Sequence, residues 1–147
     1  MSALLELYKT DFRAWTLKVA ELLRQHQFDQ LNIEELAEEL EDLGDKECKE
    51  VENRLVVLLA HLLKWQFQPT HRSSSWRGSV IEQRKQILRQ LKFSPSVKPH
   101  LPAAIADAYP DAVEVAADET GLLEQIFPAQ CPYSQEQILD KTYYPAP

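Results

Sequence analysis

The residues best suited to chemistry crowd into one stretch, HLLKWQFQPTHRSSSWR, running from His61 to Arg77. Its candidate pocket residues are His61, Trp65, His71, Arg72 and Trp76. The two imidazoles could bind a metal or move a proton. Arg72 could hold an anion near a helix start, and the two indoles could wall a cavity. Each also has a plainer use. Trp65 and Trp76 read as core anchors closing a helical hairpin. His61 lies one helical turn before Trp65 and reads as a hydrogen-bonded core histidine. Ser73, Ser74 and Ser75 read as helix caps, and no GxSxG elbow supports a serine nucleophile. His71 and Arg72 are the least explained by packing, because an exposed corner does not require them.

A second chemical set is the run of carboxylates Glu34, Glu35, Glu38, Glu39, Glu41 and Asp42. Acids one turn apart can share a metal with histidine, as in diiron bundles built on ExxH. No ExxH occurs here, and a solvated acidic face is the simpler reading. HExxH, paired CxxC and glycine-rich phosphate loops are also absent. Cys48 and Cys131 stand alone and read as reduced thiols, giving neither a zinc site nor a disulfide. The sequence therefore assigns no catalytic residue, no metal and no cofactor.

These residues must be positioned by helices. Between Asn32 and Phe67, apolar or small residues recur at Ile33, Leu36, Ala37, Leu40, Leu43, Gly44, Cys48, Val51, Leu55, Leu58, Leu59, Leu62 and Trp65. Steps of three and four predict one long helix over about 32–67, near 50 Å if unbroken. Asn32 with Glu35 forms an asparagine version of the capping box at its start. Gly44 makes a kink conceivable, but the stripe keeps its phase across it. From Val56 the opposite face turns apolar as well, so this half must be covered on most sides.

Before it, Leu4, Leu7, Tyr8, Phe12, Trp15, Val19, Leu22 and Leu23 predict one helix ending near His26, with Ser2 as its cap. After it, Pro69 stops the helix, and Trp76, Val80, Ile87 and Leu91 predict a third from near Ser75 to Lys92. A fourth runs from Pro102 to about Thr120, with Pro110 inside it and Gly121 at its C-cap. Ser134 and Gln137 cap a last short helix. The fold class is all-α: an up-and-down bundle of four main helices and short C-terminal ones, read as a single domain over 1–147.

A formal net charge of −7 disfavours non-specific nucleic-acid or anionic-membrane binding by the whole molecule. The charge is uneven: acids dominate 34–52, whereas Glu82 is the only acid between Lys64 and Lys98. There is no apolar run long enough to span a bilayer and no basic-then-apolar leader, so the expected location is cytoplasmic.

Read in order, YKTDFRAW (Tyr8 to Trp15), LAEELEDLG (Leu36 to Gly44), HLLKWQFQPTHRSSSW (His61 to Trp76), Ala108 with Tyr109, ETGL (Glu119 to Leu122) and FPAQCPY (Phe127 to Tyr133) form a recognisable set. With them the chain resembles the uncharacterised bacterial, largely cyanobacterial, family catalogued as domain of unknown function twenty-nine. The resemblance implies a compact helical bundle and transfers no reaction, cofactor or catalytic residue. The first expectation for function is a protein acting through contacts with a protein partner or with itself. The alternatives are a ligand-binding or enzymatic pocket at the 61–76 corner, its small molecule unspecified, and nucleic-acid binding through Arg77, Arg84, Lys85, Arg89 and Lys92.

Overall fold

In the computed structural model, which describes residues 3–147, the chain is predominantly helical, and no strand occurs among those residues. The α-helices are α1 (Ala3–Thr10), α2 (Phe12–Arg24), α3 (Ile33–Phe67), α4 (Ser74–Phe93), α5 (Leu101–Thr120) and α6 (Gln135–Leu139). Short 3-10 turns at Phe28–Gln30, Pro69–His71, Pro95–His100 and Glu124–Ile126 connect them. The expected cap Ser2 lies outside the described residues.

The caps follow local chemistry. Asn32 Oδ1 accepts from Glu35 N at 3.1 Å, and Ser73 Oγ accepts from Trp76 N at 3.2 Å. Ser134 and Gln137 form a reciprocal capping box, and Gly121 closes α5 in the left-handed region at φ 75°. Each satisfies a backbone group that a helix end leaves unpaired. Helix α4 starts at Ser74, and α5 starts at Leu101 with Pro102 in its first turn. Proline is tolerated there because its missing N–H would have had no partner.

One expectation is corrected. The single first helix is broken at Asp11, whose φ of −149° leaves the helical region. Its Oδ1 accepts from Ala14 N at 3.1 Å and so starts α2 afresh. The apolar spacing runs through the break without losing phase, which concealed it from periodicity.

Two compact units divide the chain, Met1–Leu43 and Gly44–Pro147, and α3 continues through the boundary. In the first unit Trp15, Val19, Leu22 and Leu31 are buried together, with Leu4, Leu7, Tyr8 and Leu36 packed around them. In the second, Val51, Leu55, Leu58, Leu59, Leu62 and Leu63 of α3 share a core with Val80 and Ile87 of α4 and Leu101, Ile105 and Tyr109 of α5. Ala60 and Leu63, on the expected second apolar face, are fully buried. Ala108, Ala112 and Ala116, one turn apart, are also fully buried, so α5 presents small side chains where close approach is needed.

Cross-contacts fix the direction of α4. Gln90 reaches Glu47, Arg54 reaches Gln83, Lys64 covers Trp76 and Arg72 reaches Trp65, so sequence order reverses and the two helices are antiparallel. Gly44 is helical, and a Cβ placed on it meets nothing within 4 Å. Gly44→Ala is therefore expected to raise stability by about 0.5–1 kcal/mol, read as a higher midpoint in thermal or urea unfolding by circular dichroism.

Candidate functional site

The corner between α3 and α4 is built from the last turn of α3 outward. Trp65 is buried with its carbonyl at a helix end, where no backbone donor follows. Arg72 Nε fills that role, donating to Trp65 O at 2.9 Å. The same guanidinium lies 4.8 Å from the Trp65 ring centre, Arg77 lies 5.5 Å from it, and the Tyr144 ring packs at 4.8 Å. Arg77 also sits 5.0 Å from Tyr144. Electron-rich faces attract cations, so the arginines and aromatics hold one another.

Trp76 has a different neighbour. Lys64, only 5% exposed, places its ammonium 4.8 Å from the Trp76 ring and donates to Glu119 Oε2 at 2.5 Å. A buried ammonium needs both a counter-charge and a polarisable face, and it has both. Gln68 Nε2 donates to Thr120 O at 3.3 Å, a second link from the end of α3 to the end of α5.

His61 is half-buried, and its Nδ1 lies 2.8 Å from Val57 O. A carbonyl only accepts, so Nδ1 carries the hydrogen. Burial and the charge of Lys64 push its pKa below 6.5, with the Val57 bond opposing them. His71 is exposed, and its Nδ1 meets Thr70 Oγ1 at 3.0 Å. The corner thus unites Trp65 with Arg72 and, through Lys64, links Trp76 to Glu119. The two imidazoles each have their own partner. Among the described residues, no group of three or more His, Cys, Asp or Glu side chains is placed to hold a metal ion.

Sequence reasoning missed Arg77, Lys64, Glu119 and Tyr144 as members of this cluster. The only signal was the basic run opposite the late aromatic pair Tyr143–Tyr144. Arg84, counted with the basic face of α4, is 1% exposed and so is withdrawn from that face.

The first unit carries the other candidate, an apolar seam on α3. Ile33, Leu40 and Leu43 are 61%, 62% and 58% exposed. Ile33, Leu36, Leu40 and Leu43 alternate by three and four, the spacing that lines one helix against another. Leu36 packs on the Trp15 core, whereas the other three face outward. Glu34, Glu38 and Glu41, exposed and in no ion pair among the described residues, lie on the side of the helix opposite the seam, and the positions directly beside it hold Asn32, Ala37, Glu39 and Gly44. Glu39 turns inward and accepts from the Tyr8 hydroxyl, a bond that raises the Tyr8 pKa to about 12.

An all-α protein with a cation–aromatic corner and an exposed apolar seam on an acidic helix is the class these observations define. The chain belongs to the family described as domain of unknown function DUF29, which matches residues 7–144. No curated protein and no solved structure matches it. No helix among the described residues is long and apolar enough to cross a membrane.

Two outcomes test the corner. Glu119→Gln removes the counter-charge of Lys64. Because Glu119 is itself about half exposed, the expected loss is about 1–2 kcal/mol, below that of a fully buried pair, in urea unfolding. For His61, the lowered folded pKa means that the unfolded chain takes up the proton first as pH falls. Stability from the neutral ring is present above pH 6.5 and is lost between 6.5 and the lower folded value. The urea midpoint of His61→Gln should fall less than that of the parent across this window.

Proposed function

We propose that the protein acts by docking a partner, with the Ile33–Leu40–Leu43 seam of α3 receiving a basic amphipathic helix from another protein. The observation that carries this reading is the seam itself: three large aliphatic side chains more than half exposed on one face of a helix whose far side is acidic. Helices bind helices through such seams, and the charge of the surrounding surface steers the partner. Segment 32–45 holds seven acids and no base, so a symmetric pairing of two copies through the seam sets like charges against each other. A basic partner is instead drawn in by the acidic field of the segment. At the corner, the aromatic faces are already covered by the chain's own arginines and lysine, which supports a structural use of His61 to Trp76.

A fluorescent leucine–lysine amphipathic peptide, with a leucine–glutamate peptide as control, tests the reading by anisotropy. The lysine peptide should bind the full chain and weaken as salt is added. Leu40→Ser with Leu43→Ser should cut that affinity by about tenfold or more while leaving the helical circular dichroism intact, because both side chains are exposed. Equal binding of the acidic peptide, no binding of the basic one, or no effect of the double substitution overturns the proposal. So does a dimer in light scattering that the double substitution dissolves, since it would make a second copy the occupant.

A further inference from the structure

An open groove of about 530 Å³ runs between α5 and the segment that follows it. Tyr109, Pro110 and Val113, on one face of α5, form one wall, and Glu124, Gln125 and the stretch from Phe127 to Ala129 form the other. The core holds both walls in place. Tyr109 and Phe127 are buried, the Tyr109 hydroxyl donates to Pro128 O at 2.6 Å, and the Phe127 ring meets Phe67 edge-on at 5.3 Å. A groove fixed in this way exists before anything enters it, so binding spends little on ordering its walls.

The surface here is of two kinds. Pro110 and Val113 supply apolar wall, and Leu123 and Ile126, which flank Glu124 and Gln125 in the chain, are 71% and 51% exposed. Exposed aliphatic side chains beside a groove mark an interaction site more often than scattered ones do. The rest is polar. Glu124 forms no ion pair, and the backbone N–H of Ala129 pairs with no protein group among the described residues.

The charge around the groove has one sign. From Pro99 to Asp140 the chain holds no lysine or arginine, and Asp107, Asp111, Glu114 and Asp118 follow at helical spacing on α5, all exposed. That stripe lies roughly a third of a turn round the helix from Tyr109, Pro110 and Val113, so it stands beside the groove without lining it. None of the four is in an ion pair among the described residues. Their field adds to the Glu124 carboxylate at the wall, attracting cations and repelling anions. The acids select only a sign; the groove beside them sets the shape of what fits.

We propose that this groove receives an extended basic segment of another protein. Its aliphatic side chains lie against Pro110, Val113, Leu123 and Ile126, and a lysine or arginine meets Glu124. A helix satisfies its own backbone and seeks an apolar seam, whereas this wall includes unpaired main chain, which suits an extended peptide. A metabolite would leave Leu123 and Ile126 uncovered outside the groove, where a longer occupant reaches them. Symmetric pairing of two copies through this face sets like charges against each other. The groove lies wholly in the second unit and is separate from the helix seam on α3.

The probe is a fluorescent peptide of leucine and lysine interrupted by prolines, which keep it out of the helical form that the α3 seam requires. Its glutamate counterpart is the control. Anisotropy and backbone amide NMR shifts follow binding to the full chain. The lysine peptide should bind, weaken as salt is added, and shift amides within 109–114 and 122–130 while leaving 33–43 unmoved. Leu123→Ser with Glu124→Gln, both exposed, should cut the affinity by about tenfold or more with the helical circular dichroism unchanged, whereas Leu40→Ser with Leu43→Ser should not alter it. No binding, equal binding of the glutamate peptide, shifts confined to 33–43, or a Leu123/Glu124 variant that binds as the parent does overturns the proposal. So does a dimer in light scattering that this variant dissolves, because a second copy would then be the occupant. The helical leucine–lysine peptide reports on the seam and the proline-bearing one on the groove, so either surface can fail alone.

Discussion

The structure of the second unit depends on the near-complete burial of α3 from Leu58 to Trp65. A helix with one apolar stripe needs one neighbour; a helix apolar around most of its circumference needs several. Leu55, Leu58, Leu59, Leu62 and Leu63 are all fully buried, and each such side chain contributes about 1.5–3 kcal/mol through removal from water. Covering them dictates the antiparallel return of α4, the small-residue face of α5 and the inward placement of Phe127, Tyr133 and Ile138. Lys64 is caught within this wrapping, and its pairing with Glu119 follows from where it must lie.

The chain after α5 is held differently. It has one short helix and little apolar periodicity, and it enters the core through single side chains, Phe127, Tyr133 and Ile138, rather than along a helix face. Arginines from α4 also tie it down: Arg84 grips the carbonyls of Gln137 and Ile138, and Arg77 lies over Tyr144, whose ring packs at a tilt against Trp65. The basic character of α4, which on sequence alone suggested an outward-facing surface, is in part the means by which the tail is fastened. The planar, delocalised guanidinium suits this work because it can donate to carbonyls in its plane and lie over rings with its face.

Legibility from sequence divided along the same line. Helix α3, its passage through Gly44, the caps at Asn32 and Ser134 and the stop at Gly121 were all readable, because each rests on residues within a turn or two of one another. The break at Asp11 was not, since periodicity records phase and Asp11 interrupts hydrogen bonding while preserving phase. Trp65 is buried as a hairpin anchor should be, whereas Trp76 is only half-buried beside Lys64; the partners of both were hidden, because Tyr144 and Glu119 come from remote positions and no spacing rule links them to the corner. The burial of Arg84 was equally hidden, because a helix period assigns a residue to a face without revealing what covers that face.

The first unit poses a question of sufficiency. Four buried side chains, Trp15, Val19, Leu22 and Leu31, form its whole buried core among the described residues, and Trp15 Nε1 is buried without a partner. A unit of this size sits near the lower limit at which a hydrophobic core alone sustains a fold. It nevertheless leaves Ile33, Leu40 and Leu43 in water on a helix whose other side carries acids that repel one another. Both features become favourable once a basic helix covers the seam, because apolar area is removed from water and the acidic field meets opposite charge. Anything that binds the folded unit and not the unfolded chain adds its binding free energy to stability. An open apolar seam on a small core is thus a surface whose cost in isolation is offset on binding, and this sets it apart from the closed corner of Trp65 and Trp76.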